Sequence, residues 1–216
     1  MSILKKVYRK FYVRVFPDLI EELRDALKDC YSVLDLGCGK SSPIQHLNLG
    51  FTMGIDIYDP YLQESRKKEI HNQYMKMNVM DVDNQVKEKS FDAVIMIDLI
   101  EHLSKEDGEK LIKKAEKIAI KKIIIFTPNG FSEKVHLEDD NIWQKHESGW
   151  KANEMKELGF DVIGLNGIKP FRGEHGEIKY SPRPFWLLIS SLTQLAVKNH
   201  PDHAFQLFCV KNISSS

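Results

Sequence analysis

Long apolar runs, a cysteine framework and an excess of either charge are all missing from this sequence. Three cysteines, Cys30, Cys38 and Cys209, are odd in number and widely scattered. They suit a reducing compartment better than a disulfide scaffold. Lys plus Arg equals Asp plus Glu at 31 each, so composition lends no support to a polyanionic partner, and no nucleic acid is indicated. The most apolar stretch, Phe185 to Val197, would span only about 20 Å as a helix, against roughly 30 Å of bilayer hydrocarbon. Basic residues interrupt the N-terminal stretch Met1 to Phe16, which therefore lacks the apolar centre of a signal peptide. These absences lead to the expectation of a cytoplasmic chain with no transmembrane segment. No zinc pattern stands out either: His200-x-x-His203 is a pair without neighbouring ligands, and no metal is expected.

What is present is ordered. The 216 residues, 42% hydrophobic, suit a single domain with a sizeable core. β-like apolar runs alternate with helical patterns from Tyr31 to Thr127. Strands are expected at Val33–Leu36, Phe51–Ile57, Tyr74–Val79, Phe91–Ile97 and Lys122–Thr127. The last two are nearly continuous apolar runs, as strands covered on both faces require. Ser42-Pro43-Ile44-Gln45 offers an N-cap, a proline and a capping-box glutamine for a helix. Asp59-Pro60 opens another in the same manner. Ser104 opens a third, with Leu111, Ile112, Ala115, Ile118 and Ala119 on one stripe. This order predicts an α/β, Rossmann-like, doubly wound and mostly parallel sheet with helices on both faces.

The pattern loosens after Thr127. Pro128 to Glu147 lacks periodicity and carries His136, Trp143 and His146; loops this long inside compact domains are usually functional. A helix over Gly149–Leu158, closed by Gly159, leads into strands at Phe160–Leu165 and Ala204–Val210. Between those strands lies an insertion, residues 170–202, with an apolar helix from Phe185 to Val197. The whole reads as one domain over residues 1–216. Residues 1–30 form a helical lid, and residues 31–165 and 203–212 form the core.

The most informative segment is Val33-Leu-Asp-Leu-Gly-Cys-Gly39, a strand running straight into Gly37-x-Gly39. Such a loop lets the backbone approach a ligand closely. Asp56, about 20 residues on at the end of the next strand, can accept hydrogen bonds from both ribose hydroxyls. A nicotinamide dehydrogenase would need glycine three residues beyond Gly39, where Ser42 stands before Pro43. Asp35 is also a poor neighbour for a pyrophosphate and a good one for an ammonium group. A nucleoside carrying a cationic amino acid fits better.

Val33 to Gly39 resembles motif I of the class I S-adenosylmethionine-dependent methyltransferases. Gly54-Ile-Asp56 is similar to motif II, and Asn78-Val-Met-Asp81 to motif III. Phe91 to Leu103 resembles motif IV of the small-molecule branch that includes quinone O-methyltransferases, and Ile123 to Asn129 its motif V. The resemblance implies a seven-stranded sheet with the last strand antiparallel, and S-adenosylmethionine as cofactor. It implies that Asp35, Gly37 and Gly39 face the methionine part, with Cys38 a small filler beside it. Asp56 would hold the ribose and Ile57 pack by the adenine. Asp81 and the Val82 amide would read the adenine ring, and the chain around Asp98 would receive the ammonium group. Lys40-Ser41 departs from the small residue and glycine of many members.

The expected reaction is methyl transfer to a small-molecule acceptor, foremost an oxygen. N- or C-methylation and a catalytically silent binding module stand as alternatives. A general base would help an alcohol or phenol. The candidates are His146, His102 and His136, all after the C-terminal ends of strands four and five, where open α/β sheets bind ligands. The insertion is expected to build the acceptor side. One side of its helix should pack on the domain, leaving the rest for a hydrophobic acceptor, a homodimer partner or a peripheral membrane contact.

Overall fold

The computed structural model describes residues 18–132, 141–173 and 178–213. Seven strands form one sheet: β1 (Ser32–Leu36), β2 (Phe51–Asp56), β3 (Gln73–Lys76), β4 (Phe91–Ile97), β5 (Ala119–Pro128), β6 (Asp161–Ile168) and β7 (Ala204–Asn212). Their order is β3-β2-β1-β4-β5-β7-β6. The first five run parallel, and β7 lies antiparallel to both β5 and β6. The doubly wound sheet with an antiparallel last strand is the one anticipated.

Period-2 alternation divides the core between the two faces. Leu34 and Leu36 of β1, and Ile123 and Ile125 of β5, join one buried cluster. Helix α3 (Lys105–Ile118) covers that cluster with Leu111, Ile112, Ala115 and Ile118, capped by Ser104, which accepts from the Asp107 amide. Helix α4 (Ala152–Glu157) adds Ala152 and Met155. Val33, Ile124 and Phe126 point the other way, against Leu23 of α1 (Leu19–Ala26) and Leu27, which caps its C-terminus. Of the lid expected over residues 1–30, positions 1–17 lie outside the described residues. Helix α2 (Asp59–Lys67) buries Tyr61 and Leu62.

One helix expected from sequence does not form. Pro43–His46 is a single 3₁₀ turn. The Ser42 hydroxyl donates to Asp35, and Gln45 Nε2 donates to the Ser42 carbonyl at 3.0 Å instead of closing a capping box. Leu47 is already extended, so too few residues remain before β2 for helix propagation to offset nucleation.

Helix α5 (Arg183–Asn199) lies against the edge strand β6. Its inward side is polar. Gln194 Nε2 donates to the Gly164 carbonyl at 2.9 Å, its Oε1 accepts from the Gly167 amide at 2.9 Å, and Thr193 accepts from the Ile168 amide at 3.1 Å. The helix thereby satisfies backbone groups that an edge strand leaves open. Gly164 permits the approach: a Cβ there would meet the Val197 carbonyl oxygen at 2.3 Å. Phe185, Leu188, Leu192 and Leu195 are exposed instead. One side of α5 packs on the domain and its apolar remainder faces outward, as expected, but apart from Val197 polar groups do most of the seating. Among the described residues no helix is long and apolar enough to cross a membrane.

Candidate active site

Most of the residues singled out in the sequence come together at the C-terminal ends of β1, β2 and β4. Asp35, Gly37, Cys38, Gly39, Asp56, Ile57, Asp98 and His102 line one cleft of about 480 Å³. Gly37 (φ 68°) and Gly39 (φ 56°) both take the left-handed backbone that favours glycine. Their surroundings differ. A Cβ on Gly37 would strike Leu99 at 2.6 Å, whereas one on Gly39 would meet nothing within 4 Å. Gly39 therefore leaves its side of the cleft open to a ligand.

Asp56 ties this loop to the next strand. It accepts from the Gly39 amide at 2.9 Å and from the Tyr58 amide at 2.8 Å. Burial raises its carboxyl above the usual range, opposed by those amide hydrogen bonds. The Cys38 amide adds a second tie, donating to the Ile55 carbonyl at 3.0 Å. Burial pushes the Cys38 thiol up, and the neighbouring Asp35 and Asp56 carboxylates push it the same way. That leaves it a packing group rather than a nucleophile.

Asp35 is buried and accepts from the Ser42 hydroxyl. Burial raises its carboxyl to about 7. Beneath it lies His71, which the sequence did not single out. Its Nε2 is 3.4 Å from Asp35 Oδ2, and burial lowers its imidazole to about 4. His71 packs over Gly54, where a Cβ would stand 2.6 Å from its ring. A buried carboxyl above a neutral imidazole, beside an open glycine, is a ready counter-ion for an incoming cation. Asp98 closes β4 with φ 47°, a strained backbone for a non-glycine residue, and its amide donates to the Phe126 carbonyl at 2.9 Å. The residues thus fit a ligand with ribose hydroxyls and a cationic amino-acid end.

The two residues expected at the adenine stand apart from this cleft. Asp81 and Val82 are absent from the cleft lining, which takes Asn78, Val79 and Met80 from that segment. β3 ends at Lys76, and a 3₁₀ helix over Val79–Asn84 begins almost at once. The turn sends Val82 into the core and leaves Asp81 exposed.

Two of the three candidate bases meet. The rings of His102 and His146 lie 4.8 Å apart between centroids. His102 Nδ1 sits 3.1 Å from the Lys145 carbonyl, and His146 Nδ1 bonds the Ser132 carbonyl. A carbonyl oxygen can only accept, so Nδ1 carries a proton in each ring. Glu101, 3% exposed, lies beside them and accepts from the Thr127 hydroxyl at 3.0 Å. One ligand atom from each of Glu101, His102 and His146 falls within 4.8 Å of the others. Such a set can take up a proton or hold a divalent cation, with backbone carbonyls orienting both imidazoles. No metal was expected from the sequence. The Glu101-His102 adjacency was the available signal, and His146 joins only through the fold, because the Glu101 carbonyl accepts from the Glu147 and Ser148 amides. His136 lies outside the described residues. Trp150, near His146 in sequence, is a core residue whose indole donates to Ser148 at 3.0 Å.

Residues 34–126 match a family model described as a methyltransferase domain. A small RNA 2'-O-methyltransferase of Tetrahymena thermophila is 27% identical, aligned over 68% of this chain and 42% of its own length. This chain therefore spans less than half of that curated relative. The methyltransferase domain of bacterial CtHen1 shares the fold with a TM-score of 0.57 at 15% identity, over 91% of this chain and 97% of that one. Phosphoethanolamine N-methyltransferase 2 of Haemonchus contortus, solved with S-adenosyl-L-methionine, gives 0.56 at 15% identity, over 95% of this chain and 56% of that one.

Proposed function

We propose that this chain, a class I methyltransferase by its matched domain and its sheet, transfers a methyl group from S-adenosylmethionine to a hydroxyl oxygen of its acceptor. The observation that carries the acceptor reading is the Glu101, His102 and His146 group beside the cleft. Bound S-adenosylmethionine supplies a methyl group already activated on a sulfonium, so the chain has chiefly to bind, orient and exclude water. Asp56 holds the ribose, and Asp35 with the chain at Asp98 faces the cationic end. His102 or His146 takes the acceptor's proton at Nε2, or the same three groups hold a divalent cation that acidifies the hydroxyl. Nitrogen and carbon acceptors have less use for this arrangement.

A small-molecule acceptor is the first reading. A ribose 2'-hydroxyl of RNA is the second, and the 27% identical relative favours it. The test incubates the protein with methyl-labelled S-adenosylmethionine and two acceptor sets, small phenols and alcohols, and short oligoribonucleotides, with and without EDTA. Label on oxygen in either set, lost in His146→Ala, supports the proposal. Cofactor binding with no turnover in any set would identify a silent binding module.

A further inference from the structure

His71 takes no part in the function proposed above. Its imidazole is wholly buried, and neither ring nitrogen has a hydrogen-bond partner among the described residues. A side chain that only filled space would be better made of hydrocarbon, because a buried polar group left unpaired destabilises the fold. The fold nevertheless fixes this ring from three sides. The His71 amide donates to the Tyr74 hydroxyl at 2.9 Å, that hydroxyl donates to the Ser65 carbonyl at 2.8 Å, and the two rings meet edge to face. The next residue, Asn72, accepts from the Thr52 amide at 2.7 Å. Opposite lies Gly54 of β2, where a Cβ would stand 2.6 Å from Cδ2 of the imidazole and 3.0 Å from its Nε2. Only glycine lets the ring lie this close to the strand.

The ring is held against Asp35. Nε2 is 3.4 Å from Asp35 Oδ2, and neither side chain is more than 1% exposed. The Ser42 hydroxyl donates to the same oxygen. Both contacts described for this carboxyl therefore fall on Oδ2, and Oδ1 is the oxygen left to a ligand in the cleft that Asp35 lines. A small rotation shortens the Nε2 to Oδ2 approach into a hydrogen bond. Burial favours the neutral form of each group. A cation beside Asp35 reverses that preference for the carboxyl, and an ionised carboxylate gains from every N–H or O–H that points at it. Other ionisable groups stand around the pair. Cys38 Sγ lies 2.9 Å from the same Cβ position at Gly54, and Asp56 acts on Asp35 through its charge. Arg66, Lys68 and Glu69 line a cavity that His71 and Tyr74 share; Arg66 lies over the Tyr74 ring and Lys68 pairs with Glu64.

We infer that His71 is a positioning residue for the cofactor: its Nε2–H donates to Oδ2 of ionised Asp35 and, with the Ser42 hydroxyl, holds the carboxylate with Oδ1 toward the ammonium group of the methionine part. The proton that leaves Asp35 goes to solvent, and the imidazole stays neutral throughout. The inference rests on the reading of Asp35 as the counter-ion of that ammonium group, and the test separates the two.

The test measures S-adenosylhomocysteine affinity by calorimetry between pH 6 and pH 8 for the wild type, His71→Phe, Asp35→Asn and the double variant. His71→Phe keeps a flat ring over Gly54 and removes the N–H. It should weaken binding about tenfold at pH 7 and move the rise of affinity to higher pH, since the ionised carboxyl has lost a donor. In the Asp35→Asn background the same substitution should change affinity by less than twofold, because the effects of the other neighbours cancel across the cycle. His71→Gln, which restores an N–H donor, should recover most of the loss. A loss of equal size in both backgrounds, or no loss in the wild-type background, overturns the proposal and leaves His71 a part of the fold alone. Wild-type affinity in Asp35→Asn would overturn the counter-ion reading of Asp35, and the inference with it. A nitrogen-15 spectrum of the wild-type imidazoles, assigned through the backbone, needs no variant to fold. The His71 ring should be neutral with its proton on Nε2, and the Nε2 signal should move on saturation with S-adenosylhomocysteine at pH 8. An unprotonated or unmoved Nε2 overturns the proposal.

Discussion

The chain up to Pro128 and the α5–β6 edge beyond it are held together by different physics. In the first part, apolar strands are sandwiched between helices, and residues from both faces of β1, β4 and β5 join buried apolar clusters. In the second, α5 meets β6 through Gln194 and Thr193, and sends Phe185, Leu188, Leu192 and Leu195 outward. A helix can read as apolar in sequence and still be seated by its polar groups when its neighbour is an edge strand with open amides and carbonyls. The first part carries the cleft proposed for the cofactor, and the second is proposed to supply the acceptor side.

That contrast can be broken most sharply at the place where the two parts meet. His146→Ala should lower kcat by about 10²–10⁴-fold if its Nε2 takes the acceptor's proton, with S-adenosylhomocysteine affinity unchanged. Equal kcat with and without the substitution would place acceptor chemistry wholly in the first part, on His102 and Glu101. Asp56→Ala acts within the first part alone. It removes a carboxylate that binds two backbone amides and, in the proposed function, holds the ribose. Hydrogen bonds to charged groups contribute roughly 1.5–3 kcal/mol each, so cofactor binding should weaken about tenfold or more. Calorimetry giving the wild-type affinity would remove Asp56 from the ribose site.

Gln194→Leu tests the polar seat of α5. It leaves the Gly164 carbonyl and the Gly167 amide without partners, at about 1–3 kcal/mol for each buried group left unsatisfied. Thermal unfolding should shift down while the cofactor affinity of the surviving fold stays the same. An unchanged Tm would mean that hydrocarbon packing, as in the first part, holds this helix too.

Asp35 offers a pH handle on the first part. Its folded-state carboxyl, near 7, lies above the ordinary value of 3.8, so the folded chain holds this proton more tightly than the unfolded chain. The resulting stability is complete below the ordinary value and is lost as pH rises through about 7. His71 acts in the opposite sense: its folded value is about 4 against 6.5. Its stability is present above 6.5 and is lost as pH falls through about 4. A cationic ligand favours the ionised carboxylate, so S-adenosylhomocysteine affinity should rise severalfold from pH 6 to pH 8 with proton release. Asp35→Asn should flatten that slope, and a slope that survives in this variant would reassign it.

The smallest effect belongs to the outward stripe of α5. Leu192→Ser alters an exposed side chain and should change stability by no more than about 0.5 kcal/mol. A clear fall in Tm that depends on protein concentration would show that a second copy covers this face.

Much of the first part was legible because its signals are local. Nearly continuous apolar runs marked β4 and β5, Ser104 marked the start of α3, and the Gly37-x-Gly39 turn with Asp56 marked the cleft. Where local signals compete, the sequence misled. Ser42-Pro43 promised a helix, and Ser42 does cap the turn through the Ile44 amide, but Leu47 is already extended and β2 begins too soon. The resemblance implied Asp81 and Val82 at the adenine, while an early 3₁₀ turn places Asn78, Val79 and Met80 along the cleft.

By itself, then, the sequence determined the sheet, its parallel core and the ligand loop, since periodicity, glycine and capping residues act on their immediate neighbours. Only the tertiary structure decided which histidines meet, which buried imidazole lies beneath Asp35, and which side of α5 faces the protein. Those outcomes depend on groups far apart in the chain that must satisfy one another's hydrogen bonds. No pattern of spacing along one segment records such a pairing.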